Sequence, residues 1–218
     1  MKFFIDTANL ADIQEAQDMG VLDGVTTNPS LMAKEGITGT ANILAHYKKI
    51  CNVVPGHISA EVIATDYKGI IEEGEKLAAL HPQIVVKLPM IADGVKACKY
   101  FSDKGVKTNV TLVFSAGQAL LAAKAGATYV SPFIGRLDDI STNGLGLISE
   151  IRLIYDNYGF ETEILAASVR HVMHVIDCAK LGSDVMTGPL SAIKGLLKHP
   201  LTDSGLAKFL EDYKNGND

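Results

Sequence analysis

Two kinds of segment alternate along the chain, and each has its own spacing of hydrophobic and polar positions. Short apolar runs between polar or glycine-containing turns predict strands, and segments with apolar residues at helical spacing predict helices between them. The predicted strands cover residues 3–6, 23–28, 57–63, 84–90, 107–113, 128–133, 163–167 and 184–187. A helix is predicted after each strand, including a long one over 140–158 and one that Ser168 opens and that runs to Lys180.

Eight strand–helix units, spaced about 25–30 residues apart, predict an α/β fold: a closed (β/α)8 TIM barrel that forms one domain over residues 1–218. A doubly wound open sheet is the alternative, but the first strand is followed by Asp6-Thr7-Ala8-Asn9 and not by a glycine-rich dinucleotide loop. An extra C-terminal helix over residues 202–214 lies outside the eightfold repeat. We expect its apolar stripe to dock across one end of the barrel or onto a neighbouring subunit.

Composition and charge narrow the possible environment of the protein. The net charge of −5 argues against a basic face for nucleic acid or an anionic membrane. The three cysteines have no CxxC spacing, which suggests a reducing compartment without disulfides or a zinc site. We expect a cytoplasmic protein, because no signal-peptide core forms before Asp6 and no apolar run is long enough to span a membrane.

Lys87 is a candidate nucleophile because it lies near the end of the apolar segment 84–90. Continuous apolar runs of this length are typical of strands that are buried on both faces. Desolvation disfavours a charged ammonium group, and a neutral lysine amine can form a Schiff base with a carbonyl compound. The alternative is a structural lysine whose stem is packed and whose ammonium group reaches solvent.

Further candidates fall at the predicted carboxyl ends of the strands, where the active sites of such barrels lie. In chain order they are Asp6, Thr26, Thr27, Asn28, Glu61, Lys87, Asn109, Thr111, Ser131 and Phe133. Inward-facing carboxylate, lysine and amide groups are costly to desolvate unless they bind a polar ligand or one another. We therefore predict a site for a polar ligand at this end of the barrel.

Several of these candidates also have a structural explanation. Asp6 could cap the first helix or pair with the strand-four lysine, and Glu61 could point outward from the surface. Asn28 is explained by its position as the N-cap of the next helix. Asn109 and Thr111 share one face of a strand and could complete an internal hydrogen-bond network. The residues alone leave these alternatives open.

Two of the three arginines follow successive predicted strands, Arg136 after the sixth and Arg170 after the seventh. Arg170 falls in the predicted first turn of the helix that Ser168 opens, and both helix N-termini and guanidinium groups bind phosphate. These residues predict a phosphate site, and the alternative is that both arginines form surface salt bridges. No metal is expected, because His171 and His174 have no evident third ligand and are interpreted as helix-surface residues.

Six motifs occur at the predicted strand ends: Phe4-Ile5-Asp6-Thr7-Ala8, Gly24-Val25-Thr26-Thr27-Asn28-Pro29-Ser30-Leu31, Val86-Lys87-Leu88-Pro89, Asn109-Val110-Thr111-Leu112-Val113-Phe114-Ser115, Ser131-Pro132-Phe133-Ile134-Gly135-Arg136 and Ala167-Ser168-Val169-Arg170. In this order they resemble the transaldolase family. The resemblance runs from the first strand to the last helix and is strongest to the small, single-barrel branch, which also holds the fructose-6-phosphate aldolases.

The resemblance implies a role for each candidate. Lys87 matches the Schiff-base lysine, and Asp6 and Glu61 match two acid/base carboxylates that act with Thr111 through a held water. The positions that contact the substrate are matched by Asn28, Asn109 and Ser131. The positions that bind phosphate are matched by Arg136, Ser168 and Arg170. No cofactor is implied.

Two positions bear on which reaction the resemblance implies. Aldolase members carry glutamine where Glu61 stands and tyrosine where Phe133 stands. Phenylalanine cannot protonate an enamine, so transfer to an aldehyde acceptor is favoured over release of dihydroxyacetone. The alternatives are a fructose-6-phosphate aldolase and a non-catalytic phosphosugar-binding barrel. The resemblance also implies sugar-phosphate substrates and a homo-oligomer, a decamer of two pentameric rings.

Overall fold

The structure, a computed structural model, describes residues 1–216 and contains the predicted barrel. Eight parallel strands pair in chain order, and the eighth pairs with the first, from Lys2 opposite Val185 to Ile5 opposite Gly188. Because the ring of strands is closed, the alternative of an open doubly wound sheet is wrong. All polar groups at the carboxyl ends of the strands therefore meet at one end of one barrel.

The strands are β1 (Lys2–Asp6), β2 (Gly24–Thr26), β3 (His57–Glu61), β4 (Ile84–Pro89), β5 (Thr108–Val113), β6 (Tyr129–Pro132), β7 (Glu163–Ala166) and β8 (Val185–Gly188). The helices are α1 (Leu10–Asp18), α2 (Pro29–Lys34), α3 (Thr40–Val53), α4 (Tyr67–Ala78), α5 (Ala92–Asp103), α6 (Ala116–Lys124), α7 (Ile134–Asp138), α8 (Gly144–Tyr158), α9 (Val172–Lys180), α10 (Leu190–Gly195) and α11 (Pro200–Asn215).

The amino-terminal end of the barrel interior is filled with apolar side chains. A compact cluster there comprises Phe4, Val85, Tyr129, Leu165 and Val185. Three of its members stand first or second in β4, β6 and β8, so the cluster forms the floor of the barrel. This packing leaves the carboxyl ends of the strands as the end that can hold polar chemistry.

A short polar chain lies at the floor, at the edge of the apolar cluster. The hydroxyl of Tyr129 lies 2.6 Å from His57 Nδ1, and Lys107 Nζ lies 2.7 Å from His57 Nε2. Because an ammonium group only donates, Nε2 accepts and Nδ1–H donates to the tyrosine oxygen. Burial, and then Lys107 and Lys2, lower the pKa of His57, which favours this neutral tautomer.

Helix α4 illustrates how the outer layer forms around the strands. The Asp66 carboxylate caps the helix by accepting a backbone N–H at 3.0 Å, and Ile70, Gly74 and Leu77 face the core at helical spacing. Phe101 of α5 packs against Gly74 so closely that a Cβ there would lie 2.4 Å from the phenyl ring. Glycine at this position therefore allows the two helices to pack together.

The long helix predicted over 140–158 is wrong at its start. After β6 the chain forms the short helix α7, turns through Ser141 with φ of 61°, and begins α8 at Gly144. Asn143 is the N-cap of α8, and its side chain accepts the N–H of Gly146 at 3.0 Å. The apolar spacing that suggested one helix thus spans a turn and a cap.

The helix predicted to open at Ser168 begins later. Ser168 adopts a left-handed conformation with φ of 58°, and His171 is the N-cap of α9, which starts at Val172. Arg170 therefore lies in the loop after β7, and its predicted position in a first helical turn is wrong. The prediction of two surface histidines is wrong for His174, which is buried, whereas His171 is exposed.

The C-terminal helix α11 has no buried residue in the part of the chain that the structure describes. Its large exposed apolar side chains include Leu201, Leu206, Phe209 and Leu210. The barrel of the same chain does not cover this stripe. Neither α11 nor any other helix within residues 1–216 is long and apolar enough to cross a membrane.

Candidate active site

The side chain of Lys87 lies inside the barrel, and the residue is only 5% exposed. Its Nζ lies 2.9 Å from Glu61 Oε2 and donates to the backbone carbonyl of Thr27 at 3.3 Å. The ammonium group therefore does not reach solvent, and the alternative of a lysine with a solvated head is wrong.

The register of β3 and β4 determines the position of Glu61. Glu61 pairs with Lys87 across the two strands, so both side chains leave the sheet on the same face. The side chain of Glu61 is 17% exposed and contacts the lysine, which excludes the outward-pointing alternative. Removing one partner of such a buried pair leaves an uncompensated charge, at a cost of about 3–5 kcal/mol.

Tyr47 of α3 is a neighbour of this pair that the predicted site did not include. Burial raises the pKa of Tyr47, and hydrogen bonds to the backbone of Glu61 and the side chain of Thr27 only partly offset that effect. The phenol therefore stays neutral. Glu61 also borders a separate cleft of about 190 Å³ between α3 and α4.

Asp6 ends a chain of hydroxyl groups. Asp6 Oδ1 accepts from Thr26 Oγ1 at 2.7 Å, and Thr26 Oγ1 lies 2.7 Å from Thr187 Oγ1. An ionised carboxylate only accepts, so Thr26 donates to Asp6 and Thr187 donates to Thr26. Both structural alternatives for Asp6 are wrong, because Asn9 caps α1 and the lysine pairs with Glu61.

Asn109 and Asn28 both have structural partners. Asn109 is fully buried, donates to Ser59 Oγ at 3.1 Å and accepts from Ser131 Oγ at 2.8 Å. Asn28 caps α2, with its Oδ1 accepting the N–H of Leu31 at 2.9 Å. Within residues 1–216 the Asn28 amide nitrogen makes no hydrogen bond, so it can donate to a ligand.

Thr111 differs from these residues because its hydroxyl oxygen is buried without a hydrogen-bond partner among the residues described. The next residue, Leu112, has φ of 62°, and the register between β5 and β6 shifts between Val110 and Val113. A buried unpaired hydroxyl typically costs about 1–3 kcal/mol, and a left-handed non-glycine residue adds strain. Both costs fall beside the lysine strand, which indicates a functional position.

A pocket of about 130 Å³ opens at the carboxyl ends of the strands. It is lined by Asp6, Thr26, Asn28, Lys87, Ser131, Phe133, Arg136, Ala167, Ser168 and Thr187. Glu61 and Asn109 stand one layer behind, bonded to the lining residues Lys87 and Ser131. The structure thus brings most of the predicted site together around one volume.

Phe133 and Arg136 form the wall on the β6 side. The Phe133 ring lies 5.7 Å from the ring of Phe114, and the Arg136 guanidinium carbon lies 4.9 Å from the Phe133 ring centroid. Within residues 1–216 Arg136 forms no ion pair with a carboxylate, whereas Arg152 pairs with two aspartates. The charge of Arg136 is therefore available to an anion in the pocket.

The loop after β7 approaches α7 closely. A Cβ on Gly135 would lie 2.2 Å from the carbonyl oxygen of Ser168 and 2.6 Å from Arg170 Nε, so only glycine fits. Ser168 lines the pocket, but the half-exposed Arg170 guanidinium pairs with Asp139 and is not part of the lining. The salt-bridge alternative therefore describes Arg170 but not Arg136.

Two residues near the site, Thr187 and Tyr47, are not among the candidates predicted from the sequence, and Thr26 is predicted only as a polar residue at a strand end. Thr26 and Thr187 orient Asp6, and Tyr47 contacts Glu61. The two threonines stand at strand ends, which is a usable signal once the barrel is predicted. Tyr47 could not have been found in this way, because it lies on the apolar face of a helix and resembles any core aromatic residue.

Comparison with known proteins identifies the family of the chain. The family model described as Transaldolase/Fructose-6-phosphate aldolase matches residues 3–216. Proteins named probable transaldolase from Flavobacterium psychrophilum, Cytophaga hutchinsonii and Bacteroides thetaiotaomicron are 76%, 72% and 70% identical over 217 residues, and each match covers 100% of both chains. The chain therefore belongs to the transaldolase/fructose-6-phosphate aldolase family.

Proposed function

We propose that this protein is a transaldolase that moves a dihydroxyacetone unit between sugar phosphates through a Schiff base on Lys87. In the reaction, sedoheptulose 7-phosphate and glyceraldehyde 3-phosphate give erythrose 4-phosphate and fructose 6-phosphate. The observation that carries the proposal is the buried Lys87 amine, which lies 2.9 Å from the Glu61 carboxylate and borders the same pocket as Asp6. The names of the relatives support the same reaction.

The first step needs a neutral amine. Glu61 accepts a proton from the ammonium group at 2.9 Å, and the freed amine of Lys87 adds to the C2 ketone of the donor sugar. The carbinolamine then loses water and becomes a protonated imine. The unpaired hydroxyl of Thr111 suits a role in holding a water that relays protons between Glu61 and the carbinolamine.

Carbon–carbon cleavage needs a base at the C4 hydroxyl of the imine. Asp6 takes that proton, the C3–C4 bond breaks, and its electron pair forms an enamine as the aldose phosphate leaves. Thr26 fixes one oxygen of Asp6, and within residues 1–216 the other oxygen accepts no hydrogen bond. Addition of the acceptor aldehyde reverses these steps, and hydrolysis releases the product.

Other residues hold the two ends of the substrate. Asn28 and Ser131, which line the pocket, bind the dihydroxyacetone portion, and Asn109 supports this end of the site through its hydrogen bond with Ser131. The phosphate lies against Arg136 and Ser168, and Arg170 contributes by sharing its guanidinium between the phosphate and its carboxylate partner. Bidentate guanidinium–phosphate contacts are strong and directional, which suits an anchor that orients the sugar.

Phe133 favours transfer over release in this proposal. Its ring lines the pocket and offers no proton to the enamine, so the three-carbon unit stays on the lysine until an aldehyde arrives. Aldolase activity is the alternative that the family description also includes.

The free thiols Cys51, Cys98 and Cys178 suit a reducing cytoplasm, which we propose as the location.

We also propose that the protein forms a homo-oligomer, a decamer by resemblance, in which α11 contacts a neighbouring copy. The helix leaves Leu206, Phe209 and Leu210 more than half exposed, at 58%, 71% and 55%. A helix with such a stripe gains stability when the stripe is buried.

The Schiff base predicts a covalent adduct on one lysine. Incubation with fructose 6-phosphate and borohydride should reduce the imine, and peptide mass spectrometry should locate the adduct on Lys87. Lys87→Met should abolish it, and the exposed-lysine control Lys124→Met should not. Absence of an adduct from the wild-type protein would favour a non-catalytic sugar-phosphate-binding barrel.

The role of Phe133 predicts that cleavage depends on the acceptor. Turnover of fructose 6-phosphate should require erythrose 4-phosphate, and Phe133→Tyr should raise acceptor-independent release of dihydroxyacetone by about tenfold or more, because it adds a general acid. Phe114→Tyr, which places a hydroxyl on the neighbouring ring, serves as the matched control. Equal release by the wild-type protein with and without acceptor would show an aldolase instead.

The unpaired hydroxyl of Thr111 predicts opposite effects on stability and activity. Thr111→Val keeps the shape and should leave the free energy of unfolding unchanged or raise it by about 1 kcal/mol, while kcat falls by about 10–100-fold. Thr108→Val on the same strand removes a hydroxyl that lies 3.3 Å from Cys98 Sγ, and it should lower stability without lowering kcat. Denaturation curves give the free energy of unfolding of each variant, and rate measurements give its kcat. An unchanged kcat in Thr111→Val would remove this residue from the mechanism.

The proposed assembly predicts a particle larger than the 23.3 kDa chain in light scattering, with a mass near ten copies. Phe209→Glu should reduce the mass, because it places a charge in the apolar stripe that the neighbouring copy is proposed to bury. Leu153→Glu changes an exposed apolar residue on α8 and should not alter the mass. A monomeric wild-type protein would contradict the proposal.

A further inference from the structure

His174 occupies a position between the two segments that carry the proposed phosphate site. It is 6% exposed, and its Nδ1 lies 3.3 Å from the backbone nitrogen of Arg170 in the loop after β7. On the other side of the ring, Nε2 lies 3.0 Å from Asp138 Oδ2 at the end of α7. One imidazole therefore joins the loop that holds Ser168 to the helix that holds Arg136.

The directions of these bonds fix the form of the ring. The backbone N–H of Arg170 can only donate, so Nδ1 of His174 accepts. Nε2 then carries the hydrogen of the neutral ring and donates it to the Asp138 carboxylate. Doubly protonated imidazole would present N–H against N–H at Nδ1, so protonation breaks the bond to the loop.

The Asp138 end of this link is itself fixed. Asp138 Oδ1 accepts the N–H of Gly144 at 3.0 Å, which joins the end of α7 to the start of α8. The bare Cα of Gly135 lets Ser168 and Arg170 lie directly against α7. A shift of the loop would therefore change the distance between Ser168 and Arg136.

We propose that His174 is a positioning residue that holds the loop Ser168–Arg170 in register with Arg136, and so sets the affinity for the phosphate group of the substrate. The inference rests on the proposed function only in taking these residues as the phosphate anchor. Such a role acts equally on the ground state and the transition state, so its loss raises KM and leaves kcat unchanged.

Four titratable or charged groups surround the ring and its link. His171 stacks on it with ring centroids 3.8 Å apart, Asp138 and Arg170 contact it, and Asp139 holds the Arg170 guanidinium. Burial, then His171 and then Arg170 lower the pKa of His174, while Asp138 opposes them. The neutral, loop-holding form thus persists below the ordinary histidine value of about 6.5 and is lost as pH falls further.

Three variants separate positioning from packing. His174→Gln keeps a donor near the Nε2 position and loses the acceptor for the Arg170 N–H, and His174→Asn keeps that acceptor and loses the donor to Asp138. Each should raise KM for fructose 6-phosphate about 3- to 10-fold, the range for one lost hydrogen bond, with kcat within twofold. His171→Asn keeps an N-cap for α9 and should leave KM unchanged.

The phosphate dependence is the decisive measurement. For unphosphorylated fructose, kcat/KM should stay within twofold in every variant, because the anchor is not used. In the wild-type protein the ratio of the KM for fructose 6-phosphate to the KM for fructose should rise as the pH falls and His174 takes up a proton. The rise should be smaller in His174→Asn, although the phosphate group of the substrate titrates in the same way. Equal losses for both sugars, or no change in either, would overturn the inference.

Failure of the proposed function can be told apart from failure of this inference. If the wild-type protein forms no Lys87 adduct and turns over neither sugar, the affinity for inorganic phosphate is measured by calorimetry in place of KM. His174→Gln should then weaken phosphate binding about 3- to 10-fold relative to His171→Asn. Equal phosphate affinity in the two variants, or no phosphate binding by the wild-type protein, would overturn the role of His174.

Discussion

The ion pair between Lys87 and Glu61 is the interaction on which the site depends. An isolated buried charge is far more costly than a buried pair, so the lysine can lie inside the barrel only because β3 presents a carboxylate in register with it. The Thr27 carbonyl supplies a further acceptor, and the buried Tyr47 forms a hydrogen bond with the backbone of Glu61. A well-packed apolar pair would often be as stable or more so, which makes chemistry, and not stability, the better explanation of these residues.

Other residues at this end of the barrel also have features that lower stability. Thr111 buries a hydroxyl that has no hydrogen-bond partner within residues 1–216, and Leu112 and Ser168 adopt left-handed backbone conformations, with φ of 62° and 58°. Each feature costs free energy that a purely structural barrel would avoid. All three residues lie at the carboxyl end of the barrel, in the second half of β5 or after β7. The floor, in contrast, consists of packed apolar side chains and of hydrogen bonds that join Lys107, His57 and Tyr129.

The barrel could be predicted from the sequence because every unit repeats the same alternation of an apolar run and an amphipathic segment. Lys87 could be selected because a charge inside such a run is conspicuous. The α7–α8 turn and the late start of α9 could not, since they depend on caps by Asn143 and His171 that compete with apolar spacing. Nor could the pairing of Arg170 with Asp139, which depends on how closely the loop packs on α7.

The wall formed by Phe133 links the two halves of the proposed chemistry. Its ring lines the pocket that Lys87 also lines, and it lies 4.9 Å from the guanidinium carbon of Arg136, the proposed phosphate anchor. A tyrosine keeps the aromatic face that attracts the cation and adds only a hydroxyl. Replacing Phe133 with tyrosine would therefore change the proton supply to the proposed enamine and keep the contact with Arg136. An aliphatic residue would lose both the ring and the contact with Arg136.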